Sequence, residues 1–282
     1  MAESEKNFRV LSPPAGSAFS PEHLQYLRRW KRDRILITVT RWAILLILVL
    51  GWEALARLEW INTFVTSQPS RVWGVIVQMY SSGELWYHLG VTVGETIAGF
   101  VLGTLGGVLI AILLWWSPFW SRTAEPFIVV INSIPKVALG PIFIVWLGTN
   151  IQAIVAMAIT VSIIVTVLMV FTGFQEVDEN KIKLLRTFGA TKAQVLTKVV
   201  LPATIPTIVG AVKVNVGLSL VGTIVGEFLV AKAGLGFLIV YGGQVFNMSL
   251  VMAGVILLML VSTLLYYVVT RLEAAAQMSR AR

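Results

Sequence analysis

Gly189-Ala190-Thr191-Lys192-Ala193-Gln194-Val195-Leu196-Thr197-Lys198-Val199-Val200-Leu201-Pro202 is a basic, amphipathic stretch that ends on proline and lies between two long apolar runs. A globular core has no use for such a segment. Val195 and Val199 recur at helical spacing, as do Leu184, Leu185 and Phe188 before them, while Lys181, Lys183, Arg186, Lys192 and Lys198 occupy other faces. The pattern predicts a short helix lying across a membrane face, broken at Gly189, with Leu201-Pro202 opening the next span. A helix held at both ends by membrane segments is a lever: pushing it sideways moves the spans attached to it.

Outward from this stretch the chain is 57% hydrophobic and 13% charged, with a mean hydropathy of +0.83, where a soluble domain is about half apolar and about a quarter charged. It belongs in a bilayer. No charge occurs between Glu95 and Arg122, between Lys136 and Glu176, or between Lys232 and Arg271. Each interval exceeds the ~20 residues one spanning helix needs, and the last two leave room for a second helix each. Six spans are predicted, near 42–57, 91–116, 125–147, 151–174, 203–229 and 250–270, which makes the fold an all-α membrane protein with six transmembrane helices. The first is read as an uncleaved helix although Ala54-Leu55-Ala56 follows its apolar run, because some 40 residues precede it, far more than a charged leader region.

The net charge of +8 encodes orientation. Lys6, Arg9, Arg28, Arg29, Lys31, Arg32, Arg34 and Arg41 precede or open the first span, and Arg122 follows the second. Lys181, Lys183, Arg186, Lys192 and Lys198 lie between the fourth and fifth, and Arg271, Arg280 and Arg282 follow the sixth. The opposite loops hold only Arg57, Arg71 and Lys232. By the positive-inside rule both termini and the 175–202 loop face the cytoplasm, and the basicity gives little support to a nucleic-acid partner. The absence of cysteine removes disulfides, thiolate metal sites and thiol catalysis together.

Residues 1–19 read as a polar tail, and Ser20-Pro21 as a helix start. The basic helix that follows, to about Arg34, is expected to lie on anionic headgroups, with Leu24, Leu27 and Trp30 beside its charges, before turning into the membrane. Pro69 opens a second interfacial helix marked by Trp73, Trp86 and Tyr87. Gly99, Gly103 and Gly107 fall at four-residue spacing in the second span, which predicts a helix that neighbours approach closely. Pro135 breaks the third span after Asn132 and Ser133 and before Lys136. The chain therefore divides into 1–40, a cytoplasmic tail and interfacial helix; 41–90, the first span and an external segment; 91–272, the core with its loop at 175–202; and 273–282, a cytoplasmic tail.

The glycine, nine residues, an aliphatic residue, one more residue and Leu-Pro resemble the cytoplasmic loop by which permease subunits of bacterial ABC importers dock onto their ATPases. Asn132-Ser133-Ile134-Pro135-Lys136-Val137-Ala138-Leu139-Gly140-Pro141, with the apolar run to Gly148, and Gly226-Glu227-Phe228-Leu229-Val230-Ala231-Lys232-Ala233-Gly234-Leu235-Gly236 resemble the corresponding stretches of the nitrate, sulfonate and taurine importer permeases, over roughly residues 60–272. The family's loop often has Glu-Ala-Ala before the glycine, where this chain has Lys183-Leu184-Leu185. The resemblance implies a type I ABC importer permease acting as a homodimer, with two cytoplasmic ATPases and an external solute-binding protein. It assigns ATPase coupling to Asp178, Lys183, Leu184, Leu185, Arg186, Phe188, Gly189, Ala190, Leu201 and Pro202. It also implies a small anionic nutrient (sulfonate, nitrate, taurine or bicarbonate), although relatives import thiamine precursors and other nutrients.

Ionisable residues inside spans are costly and face a cavity or a partner. Lys213, counted about 15 Å deep from Ala203 at ~1.5 Å per residue, is the leading residue for an anion-attracting or gating role; the alternative is a charge paired with a neighbouring helix. Lys136 and Glu95, with Asn132, Pro135 and Asn215, complete the candidate pathway. Glu227 is read chiefly as a cap for the glycine-rich 231–247 loop, which resembles a re-entrant turn. No Gly-Lys dipeptide exists, so the usual phosphate loop is absent. His23 and His88 lie in different regions, so they form no metal pair. The chain is thus expected to be a non-enzyme subunit without cofactor, ATP being bound by its partner. A gradient-driven secondary transporter is the alternative, disfavoured by the lack of a visible inverted repeat and by so few spans.

Overall fold

The structure is a computed structural model that describes residues 21–280, with side chains placed from residue 29 to 274. The tail at 1–19, the Ser20 cap and the charges of Lys6, Arg9 and Arg282 lie outside the described residues. The chain divides into two units, one ending at Ile61 and one beginning at Asn62.

The first unit is one helix, α1 (Pro21–Arg57). No break separates its basic start from its apolar end, so the expected turn near Arg34 is replaced by a continuous rod. No glycine or proline occurs between Pro21 and Gly51, so nothing in the junction ends the hydrogen-bond ladder, although Ile35, Ile37, Thr38, Val39 and Thr40 are only middling helix formers. The Arg34 guanidinium stacks 3.9 Å from the centre of the Trp30 ring. Arg57 pairs with Glu53 at 2.7 Å.

The second unit opens with α2 (Thr63–Thr66), whose first N–H groups are capped by Asn62. Next comes α3 (Pro69–Ser82), with proline in its first turn, where no N–H is needed. The long helices are α4 (Glu84–Trp116), α7 (Ile151–Gln175), α10 (Leu201–Val230) and α12 (Met248–Arg280). Between α4 and α7, α5 (Pro118–Ser133) meets a 3₁₀ turn and α6 (Gly140–Leu147) at a corner of 93°. The expected kinked third span is therefore a bent pair, because Ile134 and Pro135 are both extended at the break. With that pair as one span, up to six helices are long and apolar enough to cross a membrane. Two short helices, α8 (Glu179–Thr187) and α9 (Lys192–Val195), form the loop between α7 and α10, and α11 (Leu235–Gln244) precedes α12.

The core is a three-helix sandwich of α4, α7 and α10. Glycines allow it: a Cβ added at Gly222 would lie 2.6 Å from the Ala158 Cα, and one at Gly226 would lie 2.9 Å from the Ile154 Cα. From the other side, Gly99, Gly103 and Gly107 meet Ala158, Ser162 and Thr166. In lipid, where apolar burial gives helices no reason to associate, this close approach supplies the dispersion contacts that hold them. At the loop end of the sandwich Val170, Phe174, Val195, Val200 and Ala211 form an aliphatic and aromatic cluster.

Candidate functional site

The loop between α7 and α10 is built from local capping. Asp178 accepts the Asn180 N–H at 2.8 Å and starts α8, and Glu179 pairs with Lys183 at 2.9 Å. The helix ends in a Schellman turn: the Gly189 N–H donates to the Arg186 carbonyl at 3.0 Å and the Ala190 N–H to that of Leu185 at 3.1 Å. Gly189 has φ +78, and a Cβ there would touch nothing. The glycine is required by backbone conformation and not by space. Thr191 and Gln194 then form a capping box that starts α9.

Leu185, Ile182 and Ala190 pack on the core cluster, whereas Leu184 and Phe188 are 55% and 82% exposed. Lys183 and Arg186 are exposed beside them. Two faces result: an inner one that grips α7 and α10, and an outer one with apolar residues ringed by charge. Leu201-Pro202 opens α10, with the proline in its first turn. A π turn over Leu196–Val200 joins α9 to α10, and the Leu201 N–H reaches back to Leu196. The wider turn accommodates the N–H that Pro202 lacks, so an apolar helix runs from Lys192 to Val230.

Lys213 is paired with a neighbouring helix: its Nζ lies 2.6 Å from Glu273 Oε2 on α12. Glu273 follows Arg271, which closes the charge-free run of α12. Lys136 folds back to donate to the Asn132 carbonyl and, at 3.4 Å, to its Oδ1, closing the corner at Pro135. Lys136 thus joins Asn132 at the corner, and neither lysine is bonded to Glu95, Asn215 or Glu227.

Glu95, Asn215 and Glu227 lie inside the sandwich and are almost fully buried. Glu227 accepts the Thr92 hydroxyl at 2.6 Å and the Gly236 N–H. Thr92 Oγ1 accepts the Leu235 N–H at 2.8 Å, and His88 Nδ1 accepts that of Gly234 at 3.0 Å. Three N–H groups at the start of α11 are thus held by side chains of α4 and α10. A Cβ at Gly236 would lie 2.7 Å from Glu227 Oε2, so only glycine lets the turn close on the carboxylate. Glu95 approaches the Glu227 carboxyl within hydrogen-bonding reach. Asn215 donates to Thr104 Oγ1 at 2.9 Å and to Thr166 Oγ1.

The pairs Thr92–Glu227 and Thr104–Asn215 set one antiparallel register along about 18 Å of α4 and α10. In between, that register faces Thr96 toward Thr223. The seam also holds buried polar atoms without a hydrogen-bond partner, on Glu95, Thr96, Asn215, Ser219 and Thr223. Sequence reasoning missed His88, Thr92, Thr104 and Thr166. Their signal was present: His88, Thr92 and Thr96 repeat every four residues in an otherwise apolar helix and continue into Gly99 and Gly103. Among the described residues no group of three or more His, Asp or Glu side chains could hold a metal.

Residues 103–277 match the family of binding-protein-dependent transport system inner membrane components. The chain belongs to that family. It is a multi-pass inner-membrane permease subunit of an ABC importer, which works with an ATPase and a solute-binding protein. The family match displaces the gradient-driven alternative. The permease is similar to the formylaminopyrimidine transport permease protein ThiX of Halalkalibacterium halodurans, 29% identical over 68% of this chain and 76% of that one. It is likewise similar to the taurine transport system permease protein TauC of Escherichia coli K12, 24% identical over 84% and 87%. In fold it matches a bacterial ABC transporter involved in the import of the acidic polysaccharide alginate, with a TM-score of 0.62, 14% identity, and 89% and 99% of the two chains covered.

Proposed function

We propose that two copies of this permease form the pathway of an importer for a small anionic nutrient, and that each copy docks one cytoplasmic ATPase through the outer face of α8. The observation that carries this reading is the pair of exposed apolar residues, Leu184 and Phe188, on a helix whose other side is fastened to α7 and α10. Lys183 and Arg186 flank them and suit an acidic rim on the ATPase. The chain carries no phosphate loop, so ATP is bound and hydrolysed by that partner. Lys213 and the corner of Asn132, Pro135 and Lys136 meet the solute, while Glu95, Asn215 and Glu227 fix the shape of the route from within the core.

The anion reading is supported by the taurine relative and by the two lysines. The ThiX relative supports a second reading, a neutral thiamine precursor. Titrating the cognate binding protein with taurine, an alkanesulfonate, nitrate, bicarbonate and a formylaminopyrimidine separates them. Orientation is tested by cysteines placed in this cysteine-free chain: one at Ser82 should react with an impermeant thiol reagent outside intact cells, and one at Thr191 should not. Labelling at Thr191 overturns the cytoplasmic loop.

A further inference from the structure

We propose that Lys192 is a positioning residue that ties the docking loop to α4, making α4 the rod that carries loop movement to the turn before α11. The inference rests on the docking reading above and adds a connection to it. Lys192 is the first residue of α9, its backbone fixed by the Thr191–Gln194 capping box. Its Nζ donates to the carbonyl of Trp116, the last residue of α4, across 76 residues of sequence. That carbonyl has no acceptor role left inside its own helix, and a cation at a helix C-terminus also meets the negative end of the helix dipole. The same Nζ lies 5.9 and 5.7 Å from the Trp115 and Trp116 ring centres, and Trp115 packs on the core cluster.

The loop is already continuous with α7 through α8 and with α10 through the π turn. Among the described residues its other contact with α4 is apolar, around Ala111 and Trp115, and apolar contact is non-directional. Lys192 adds the directional link. At the other end of α4, 24 residues and about 36 Å away, Thr92 and His88 hold the N–H groups of Leu235 and Gly234. The one helix is therefore fastened by polar contacts at both ends, to the docking loop and to the turn opening α11. α4 is already packed on α7 and bonded to α10, and Lys192 adds a direct tie from the docking loop to its end. Without Lys192, loop movement reaches α4 and the α11 turn through the packed interface alone.

The test uses the complete complex of permease, ATPase and binding protein in proteoliposomes, measuring solute uptake and ATP hydrolysis together. Lys192→Met should keep the ATPase bound and hydrolysing while uptake per ATP falls about fivefold or more, the lower range of ordinary coupling between sites. Lys192→Arg keeps a cation and N–H donors and should recover most of it. A Met variant with wild-type uptake per ATP, or an Arg variant no better than Met, overturns the proposal. Should Lys192→Met fail to assemble, Lys192→Cys with Ser117→Cys can be bridged by a short bis-methanethiosulfonate, there being no other thiol in the chain. Bridging should raise uptake per ATP over the unbridged pair, and no rise overturns the link. Phe188→Asp, run in parallel, separates the two readings: if it loses the ATPase while Lys192→Met behaves as wild type, only the Lys192 role falls; if it binds and transports normally, the docking face itself is wrong.

Discussion

The two ends of the α4, α7 and α10 sandwich are held by different forces. At the loop end, Val170, Phe174, Val195, Val200 and Ala211 pack through aliphatic and aromatic surface. At the opposite end, Glu227, Thr92 and His88 hold the start of α11 by directional hydrogen bonds. Apolar contacts tolerate small slides at little cost, since a neighbouring side chain or lipid tail replaces what is lost. Buried hydrogen bonds do not, because a freed N–H or carboxylate in that environment is left with nothing. The contacts make the loop end the more movable end and the α11 end a pivot, a turn that shifts only together with α4 and α10.

The pivot is broken most severely at Glu227. Glu227→Ala leaves the Gly236 N–H and the Thr92 hydroxyl unpaired and should destabilise the chain by about 2 kcal/mol or more, at about 1–3 kcal/mol for each buried group left without a partner. Thermal unfolding in detergent measures the loss, and protease cutting within 231–247 should rise in step. Unchanged melting and cutting would mean that the α11 turn is held by packing alone. The sandwich between the ends is tested by Gly222→Ala, whose new methyl meets the α7 backbone at Ala158. Overpacking of this kind costs about 1–3 kcal/mol and should lower the melting temperature without altering ATPase affinity.

At the movable end the effects are smaller and fall on coupling. Gly189→Ala imposes φ +78 on a residue with a side chain, a cost of about 1–2 kcal/mol confined to the loop. Less ATPase should copurify at unchanged core stability. Lys213→Met removes a partly exposed ion pair with Glu273, the Lys213 side chain being 33% exposed, worth about 0–1 kcal/mol. Melting should scarcely move while uptake falls, and Lys213→Arg should retain part of it. Wild-type uptake in the Met variant would make the pair a structural clasp.

The movable end was legible in the sequence because its construction is local. A caps-and-glycine grammar over some 25 residues, from Asp178 to Pro202, carries nearly all of it. Pro202 marked the start of α10, but nothing local announces the π turn that joins α9 to it or the pairing of Lys213 with Glu273 on α12. Pro135 marked a break but not its 93° angle, which depends on Ile134 and Pro135 both being extended. The pivot was legible only through Glu227. Its partners Thr92 and His88 lie 143 and 146 residues from Leu235 and Gly234, the groups they hold. Such pairs exist only once the helices have packed.

The outer face of α8 is the surface proposed to bind the ATPase. The direct measurement is copurification of the cognate ATPase with the wild-type permease and with Leu184→Asp, Phe188→Asp and the double variant, alongside the melting temperature of each permease alone. Both residues are exposed, so the permeases should melt as wild type does. Wild type should yield a complex of two permeases and two ATPases, each single variant should retain less ATPase, and the double variant should retain none. A double variant that still forms the two-plus-two complex and drives uptake would contradict the claim.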